Sequence, residues 1–412
     1  MTDIYHEVQA EMLAAADAAA PTTVPAPPAP APAAPSPEPA VTMVPRFGAA
    51  TPVVVTAGVW IVASLLWWLL ASPRWQVFDA SSAAIGAVLF WTILSFIFTG
   101  FTFGSWPFAK LRQPWSGLAM IAFNVGTAFG AVWLFSFVLG SWDPTFSHSA
   151  AGGAGFTATA FVVLIGFFAY ALLAASWGGY PFEGLAQPMN GLGGFFLGSF
   201  LTTVGVVVLV YPNFSAALAK DAPLALPAAT GWIYSSIVVV ILAAMLWQNW
   251  PWALVPNRHL RALVAAAVTL GGGVAVAWAF RGIVGAVTPT HIEKLPSFSR
   301  DLEAAQLGVC FSLWGLTWGL VWGARPTRWS PALNRLAATA IVTVLSVLTY
   351  WAFVNFAAVD IYHFPAVADG NYGGSPLLFM DWVIMALLWY AIALGGYGST
   401  RREVAVTEEE AA

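Results

Sequence analysis

The stretch VVVTAGVWIVASLLWWLL, residues 53–70, carries no charged side chain along its length. A helix needs about 20 mostly apolar residues to cross the hydrocarbon core of a bilayer. Inside that core every backbone N–H and C=O must be satisfied within the protein, and an isolated apolar segment achieves this as an α-helix. The stretch therefore predicts a transmembrane helix over residues 53–72.

Nine more segments of the same kind follow along the chain. They are too long and too evenly apolar to be strands of a membrane barrel. The sequence therefore predicts an all-α polytopic membrane protein with about ten transmembrane helices. The predicted spans are 53–72, 80–103, 116–140, 155–176, 191–211, 230–248, 260–284, 303–323, 335–358 and 376–397.

The composition of the whole chain excludes several classes of protein. Of the 412 residues, 59% are hydrophobic and 8% are charged, whereas soluble domains have about 25% charged residues. Too few charges are present to cover a soluble globule, which excludes a water-soluble enzyme. The sequence has no basic patch for nucleic acid. The single cysteine, Cys310, excludes structural disulfides and thiolate metal sites within one chain. The partner that this composition requires is the lipid bilayer.

The chain before the first span has a different composition. Met1–Ala20 is acidic, and Pro21–Pro45 is rich in alanine and proline. Such a segment buries too little apolar surface to fold, so residues 1–45 are expected to be a disordered cytoplasmic tail. The alternative is that Met1–Ala20 docks a membrane or cytoplasmic protein partner. Residues 46–400 form the predicted transmembrane domain, and residues 401–412 form a short charged cytoplasmic tail.

Two loops between predicted spans resemble each other. Trp106-Pro107-Phe108 and Gln113-Pro114 recur 74 residues later as Tyr180-Pro181-Phe182 and Gln187-Pro188. Later loops repeat the pattern more weakly. Repetition on this scale predicts stacked supersecondary units, here five tandem two-helix units in the same orientation. The competing explanation is that any cytoplasmic membrane border favours Trp, Pro and Arg.

The distribution of Lys and Arg predicts the orientation in the membrane. Ten of these 15 residues fall in one set of loops or tails and five in the other. Cytoplasmic loops carry the excess of positive charge. Both termini are therefore expected in the cytoplasm, and the protein is expected to be a multi-pass protein of the plasma membrane.

The chain is rich in tryptophan, with 22 of these residues. Most lie near predicted span ends, where indole rings favour the headgroup level of a bilayer. A few lie deeper and are candidates for the wall of a pocket. These are Trp67, Trp68, Trp278, Trp318 and Trp389.

Charged residues at membrane depth are costly and are functional candidates by default. Asp381 lies five residues inside the tenth predicted span and is the strongest candidate for a proton or cation site. Arg281 ends the seventh span, and Glu303 opens the eighth. Arg281 is expected to pair with Asp381 or with Glu303, and these three residues are candidates for a substrate or ion pathway.

Uncharged polar residues add further candidates for this pathway. Asn124 lies in the third span, and Thr339, Thr343 and Ser346 share one helical face in the ninth. The face either lines a pathway or is merely tolerated, because Ser and Thr hydroxyls can bond to their own helix carbonyls. In the seventh span, Gly271–Gly273 indicates either a bend or a close approach of substrate.

Three histidines fall in predicted outer loops, namely His148, His291 and His363. Together with a carboxylate such as Asp360, they have the chemistry to bind Zn or Cu. No two of the histidines have the spacing of local ligands, so such a site depends wholly on tertiary proximity. The sequence otherwise implies no cofactor, and it contains none of the common catalytic motifs.

Three functional hypotheses remain open at this point. The first is a permease or channel-like protein for a small solute. The second is a membrane subunit or accessory protein of a larger complex. The third is a membrane enzyme with an outer-face metal site built from the histidines.

Overall fold

A computed structural model describes residues 41–72, 82–215, 217–295, 298–323, 329–363 and 376–404. Its principal helices, in chain order, are α1 Thr51–Leu70, α2 Ser82–Phe96, α3 Trp115–Trp133, α4 Ala154–Ala171, α5 Met189–Gly205, α6 Leu226–Met245, α7 Arg258–Val287, α8 Arg300–Leu320, α9 Pro331–Ala352 and α10 Pro376–Leu388.

Six of these helices continue into a π-helical segment. In a π-helix the backbone hydrogen bonds join residues five apart rather than four. The segments are Ile97–Thr102 after α2, Leu134–Val138 after α3, Leu172–Ser176 after α4, Val206–Val210 after α5, Phe353–Ala357 after α9 and Trp389–Ala393 after α10. Single turns Tyr211–Phe214, Thr290–Glu293 and Ala358–Asp360 and short 3-10 turns complete the helical structure.

Within the described residues, nine helices are long and apolar enough to cross a membrane. The chain is thus a multi-pass membrane protein. Helix α8 is absent from this set because Arg300, Asp301, Glu303 and Gln306 lower its hydropathy. It is nevertheless buried over most of its length, since α6, α7, α9 and α10 all contact it. A helix enclosed by protein does not need side chains that suit lipid.

The helices sort into two layers by burial. In α2, α4, α6 and α10, 56–72% of the membrane-length segment is buried inside the protein. In α1, α3, α5, α7 and α9 the share is 22–33%. We call the first four helices together with α8 the inner helices and the other five the outer helices. Inner and outer helices alternate along the chain.

The inner helices form a closed ring. Each contacts the next in the order α2, α4, α6, α8 and α10, and α10 contacts α2. The outer helices pack on this ring from outside: α3 on α2, α5 on α4, α7 on α6 and α8, and α9 on α8. Helix α1 packs through Trp60 and Trp67 against Phe379 of α10.

The two loops related by the 74-residue offset make the same pair of hydrogen bonds. The side-chain amide of Gln113 donates to the Ala393 carbonyl (2.8 Å) and accepts from the Gly117 N–H (3.3 Å). Gln187 donates to Thr102 (3.2 Å) and accepts from Gly191 (3.1 Å). Each glutamine thus joins the start of an outer helix to the end of an inner helix distant in sequence.

The loop after α6 makes a related contact. The Asn249 amide donates to the Ala175 carbonyl at 2.9 Å, near the end of the π-helical segment that follows α4. In the same region Arg258 pairs with Glu183 at 2.7 Å. The positive charge beside Glu183 is thus supplied by the first residue of α7.

A short antiparallel strand pair lies where the two ends of the described chain meet. Strand β1, Val41–Pro45, pairs with β2, Thr400–Val404, with Val41 opposite Val404 and Pro45 opposite Thr400. Both strands fall mainly in segments that the sequence assigns to the tails. Residues 1–40 and 405–412 lie outside the described residues, and with them the predicted disorder and the partner expected for Met1–Ala20.

Glycines set how closely the two layers approach. Helix α7 runs through Gly271–Gly273 as one continuous α-helix, so these glycines do not break it. A Cβ on Gly273 would overlap Ser236 of α6. On α5, Gly198 likewise faces the ring of Tyr170, whereas Gly126 and Gly130 of α3 have open space beside them. The triple glycine therefore serves close packing between α7 and the ring.

Two neighbouring substitutions test this role. Gly273→Ala is expected to lower the thermal unfolding midpoint in detergent, because overpacking a tight contact costs about 1–3 kcal/mol. Gly271→Ala is the matched control: nothing lies within 4 Å of its added Cβ, and alanine favours a helix by up to about 1 kcal/mol. Equal midpoints for the two variants would show that close packing at Gly273 does not matter.

Candidate functional site: the central cavity

The ring of inner helices lines a partly open cavity of about 480 Å³. Ligand pockets usually measure about 300–1,000 Å³. All five inner helices contribute to its wall, and on each of them the wall begins within the first five residues of the helix. The inner helices are therefore parallel, with their N-terminal ends at one end of the cavity. The wall consists of Ala83, Gly86, Ala87, Phe90, Ile93, Gly152, Thr157, Ala160, Phe161, Val163, Leu164, Phe167, Thr230, Tyr234, Ile237, Leu302, Ala305, Ser312, Leu377, Leu378, Asp381 and Ile384.

Asp381 is the acidic residue of this wall. It lies in the second turn of α10, and its side chain is buried, with 4% of the residue exposed. The side chain of Tyr234 of α6 lies beside the carboxyl group. Oδ2 of the carboxyl has no hydrogen-bond partner in the protein. Nearly all buried polar atoms in proteins are paired, so this buried oxygen leaves a residue of the cavity wall with an unfilled capacity for a hydrogen bond.

The start of α10 is held in place by α8. Pro376 begins the helix, a position where the missing N–H costs nothing. The next backbone N–H, from Leu377, donates to Oε1 of Gln306 at 2.6 Å. This bond satisfies an N–H of the first helical turn and fixes α10 against the ring. Asp381 is therefore presented by a helix end that is anchored to its neighbour.

The rest of the wall is apolar, with few polar atoms. The hydroxyl of Ser312 is buried and has no hydrogen-bond partner. Thr157 and Thr230 bond instead to carbonyls of their own helices, those of Gly153 and Leu226. Among the described residues that line the cavity there is no Lys, Arg or His. Asp381 consequently has no positively charged partner in the wall.

Arg281 and Glu303, the two other charged candidates, lie elsewhere. Arg281 pairs with Asp301, not with Asp381 or Glu303 as the sequence suggests. Glu303 accepts a hydrogen bond from the Tyr350 hydroxyl at 2.7 Å, and that hydroxyl also lies 3.0 Å from Oγ1 of Thr288. Both candidates therefore hold helix ends together and are absent from the cavity wall.

Asn124 is buried but does not reach the cavity. Its side-chain amide exchanges hydrogen bonds of 3.0 and 3.1 Å with Oγ1 of Thr99, and Ser95 donates to its backbone carbonyl at 3.2 Å. These contacts join α3 to α2 and its π-helical segment. Asn124 thus connects an outer helix to an inner one.

The polar face of α9 also connects the two layers. Oγ1 of Thr339 accepts from the Trp247 indole at 2.9 Å, and the hydroxyl of Ser346 donates to its own helix at Val342. Thr349 accepts from Trp314 at 2.8 Å in the same way. Thr343 is half-buried on this face. None of the three candidates on α9 is part of the cavity wall. Their helical spacing instead forms a face that anchors α9 to the inner helices.

Substitutions along this face separate anchoring from lining a pathway. Thr339→Val is expected to lower the thermal unfolding midpoint, because it leaves the buried Trp247 N–H unpaired at a cost of about 1–3 kcal/mol. Thr343→Val, one helical turn away, is the matched control and is expected to shift it little. If the face lined an aqueous pathway, both substitutions would affect solute passage while leaving the midpoint alone.

The candidate metal ligands are not brought together. His148, His291, His363 and Asp360 lie in three connections that follow three different outer helices. Among the residues described, no group of three His, Cys, Asp or Glu side chains has the geometry to hold a metal ion. The prediction of an outer-face zinc or copper site is therefore not realised, because each residue is held by its own hairpin.

The connection after α3 illustrates this local holding. His148 stacks on Phe137, with ring centroids 4.3 Å apart. Asp143 accepts hydrogen bonds from the Thr145 N–H (2.9 Å) and the Tyr211 hydroxyl (2.7 Å). Partial burial acts to raise the pKa of Asp143, but these bonds stabilise its charged form and the net effect is a lowered pKa.

The sequence missed most of the cavity wall. Tyr234 and Ser312 lie mid-helix. Their polar side chains could have marked them as cavity residues, but the same residue types occur along many of the helices. None of the tryptophan candidates lines this cavity. Trp67 donates to the Tyr362 carbonyl at 2.9 Å, and Trp278 is 76% exposed on the outside of the bundle.

Comparison with known proteins adds no assignment. No protein-family description matches the chain, and neither a curated protein nor a solved structure matches it significantly.

Proposed function

We propose that this protein is a permease that carries a small solute through the centre of its ring of inner helices. The observation that supports the proposal is the cavity of about 480 Å³ with a buried carboxyl oxygen that has no partner. A convergent polar group in an apolar pocket is the usual signature of a ligand site. Farther along α2, α8 and α10, apolar residues such as Phe96, Leu313 and Leu387 are buried, and a site that opens to one side at a time needs such packed segments beyond it.

The fold proposed for this permease consists of five two-helix units and ten membrane crossings. The alternation of outer and inner helices and the matching bonds of Gln113 and Gln187 support the units. The pairing of β1 with β2 supports the even number of crossings. A chain whose two ends pair on one side crosses an even number of times, so α8 is counted as a crossing with the nine apolar helices.

In the proposed orientation the protein lies in the plasma membrane, with both termini on the cytoplasmic side. The excess of Lys and Arg in loops and tails on that side supports it. The inner helices are the second helix of each unit and would then begin at the outer surface. In this orientation the cavity lies in the outer half of the membrane.

Cysteine accessibility tests the proposal. Ala160→Cys places a thiol in the cavity wall and is expected to react with water-soluble methanethiosulfonates, cationic or anionic. Val274→Cys is the matched control, because this position of α7 is 57% exposed on the outside of the bundle, toward lipid. Wild-type protein serves as the blank, since Cys310 is fully buried. The measurement is the rate of labelling in sided membrane vesicles.

Passage through the ring requires that Ala160→Cys be labelled from both sides of the membrane. If Ala160→Cys is labelled from neither side, solutes do not enter the cavity. Labelling from one side alone would make the cavity a closed binding pocket and would contradict the permease. Labelling of Val274→Cys at the same rate would show that the reagents report membrane depth instead of cavity access.

A further inference from the structure

We propose, building on the permease function, that the central cavity takes a monovalent organic cation and exchanges it for a proton on Asp381. The ligand is thus an ammonium group carried on an apolar body. The proposal rests on what the wall of the cavity contains and on what it lacks.

The sign of the charge follows from the wall. Asp381 is 4% exposed and belongs to the cavity wall, and its buried Oδ2 is satisfied by no protein group. The described wall holds no Lys, Arg or His. A bare carboxylate in apolar surroundings is costly and needs a partner of opposite charge or a proton. A cation that enters the cavity provides the partner of opposite charge, whereas an anion would add to the cost of burying the carboxylate.

The apolar character of the ligand follows from the scarcity of oxygen atoms. A bound metal cation such as Ca²⁺ requires about 6–8 oxygen ligands. Here the carboxyl of Asp381 is joined by the hydroxyls of Tyr234 and Ser312, while Thr157 and Thr230 bond to their own helices. The remaining wall is aliphatic and aromatic. The rings of Phe90, Phe161 and Phe167 suit an alkylammonium, which aromatic faces attract.

The exchange for a proton follows from the neighbours of Asp381. The titratable groups that face it are Tyr234 from α6 and Cys310 from α8. Helices α2 and α4 contribute none to the cavity wall. Neither neighbour supplies a positive charge when the organic cation leaves. The carboxyl therefore takes a proton from water on the side of release and gives it up on the side where the next cation binds, one for one.

Transport in proteoliposomes tests this exchange. The probe is radiolabelled phenyltrimethylammonium, a permanent cation that cannot cross a bilayer as a neutral base. With an acidic lumen, wild-type protein is expected to accumulate the probe about tenfold per pH unit, because one proton leaves for each cation that enters. Benzenesulfonate, an anion on the same ring, is expected to remain outside.

Substitutions at Asp381 provide the matched comparison. Asp381→Asn removes the titrating charge and is expected to abolish the accumulation, whereas Asp381→Glu is expected to retain part of it. Thermal unfolding of each variant shows whether it is folded. In Ala160→Cys protein, cationic methanethiosulfonate is expected to label at least tenfold faster than the anionic reagent, and Asp381→Asn is expected to remove this preference.

The outcomes distinguish the inference from the function on which it rests. If Ala160→Cys is labelled from both sides but the probe does not accumulate, the proposed permease function is retained and the proposal of an organic cation as ligand is wrong. Accumulation that persists in folded Asp381→Asn protein would overturn the role of the carboxyl. If Ala160→Cys is not labelled at all, the permease itself fails, whatever the probe does.

Discussion

Helices in a membrane gain little from burying apolar surface against one another, because lipid is as apolar as their side chains. In this protein close packing and hydrogen bonds from side chains to the backbone hold them instead. Gly273 and Gly198 bring outer helices against the ring. The Gln113 and Gln187 amides bond to carbonyls at inner-helix ends, and Trp232 donates to Leu270 of α7 at 2.9 Å. The two-layer arrangement depends on these contacts.

The outer layer frees the inner helices from the need to be apolar. Helix α8 is the clearest case: it carries Arg300, Asp301, Glu303 and Gln306 within its first two turns, yet most of its residues are buried in the ring. Its charged end is satisfied by Arg281, Tyr350 and the start of α10. Asp381 differs from this pattern, since one of its oxygens is left without a partner at the cavity.

The sequence predicted individual helices better than their neighbours. It marked Asp381 as the strongest candidate, because a short carboxyl side chain at membrane depth cannot reach water by extending along the helix. It misassigned Arg281 because three acidic residues lie near the same helix ends, and only their positions in space select Asp301. It treated Thr339 and Asn124 as pathway residues, since a polar side chain inside a span looks alike whether it faces a cavity or another helix.

The sequence by itself determined the apolar spans, their number to within one, and the shared pattern of the loops at Trp106 and Tyr180. Hydrocarbon imposes helical structure on any long apolar segment, so these features require no knowledge of neighbours. Only the tertiary structure decided which five helices form the ring, and hence that Tyr234, Ser312 and Asp381 face one cavity while four candidate metal ligands stay apart. Which side chains come together depends on the rotation of each helix about its axis. Contacts between helices set this rotation, and the local sequence does not.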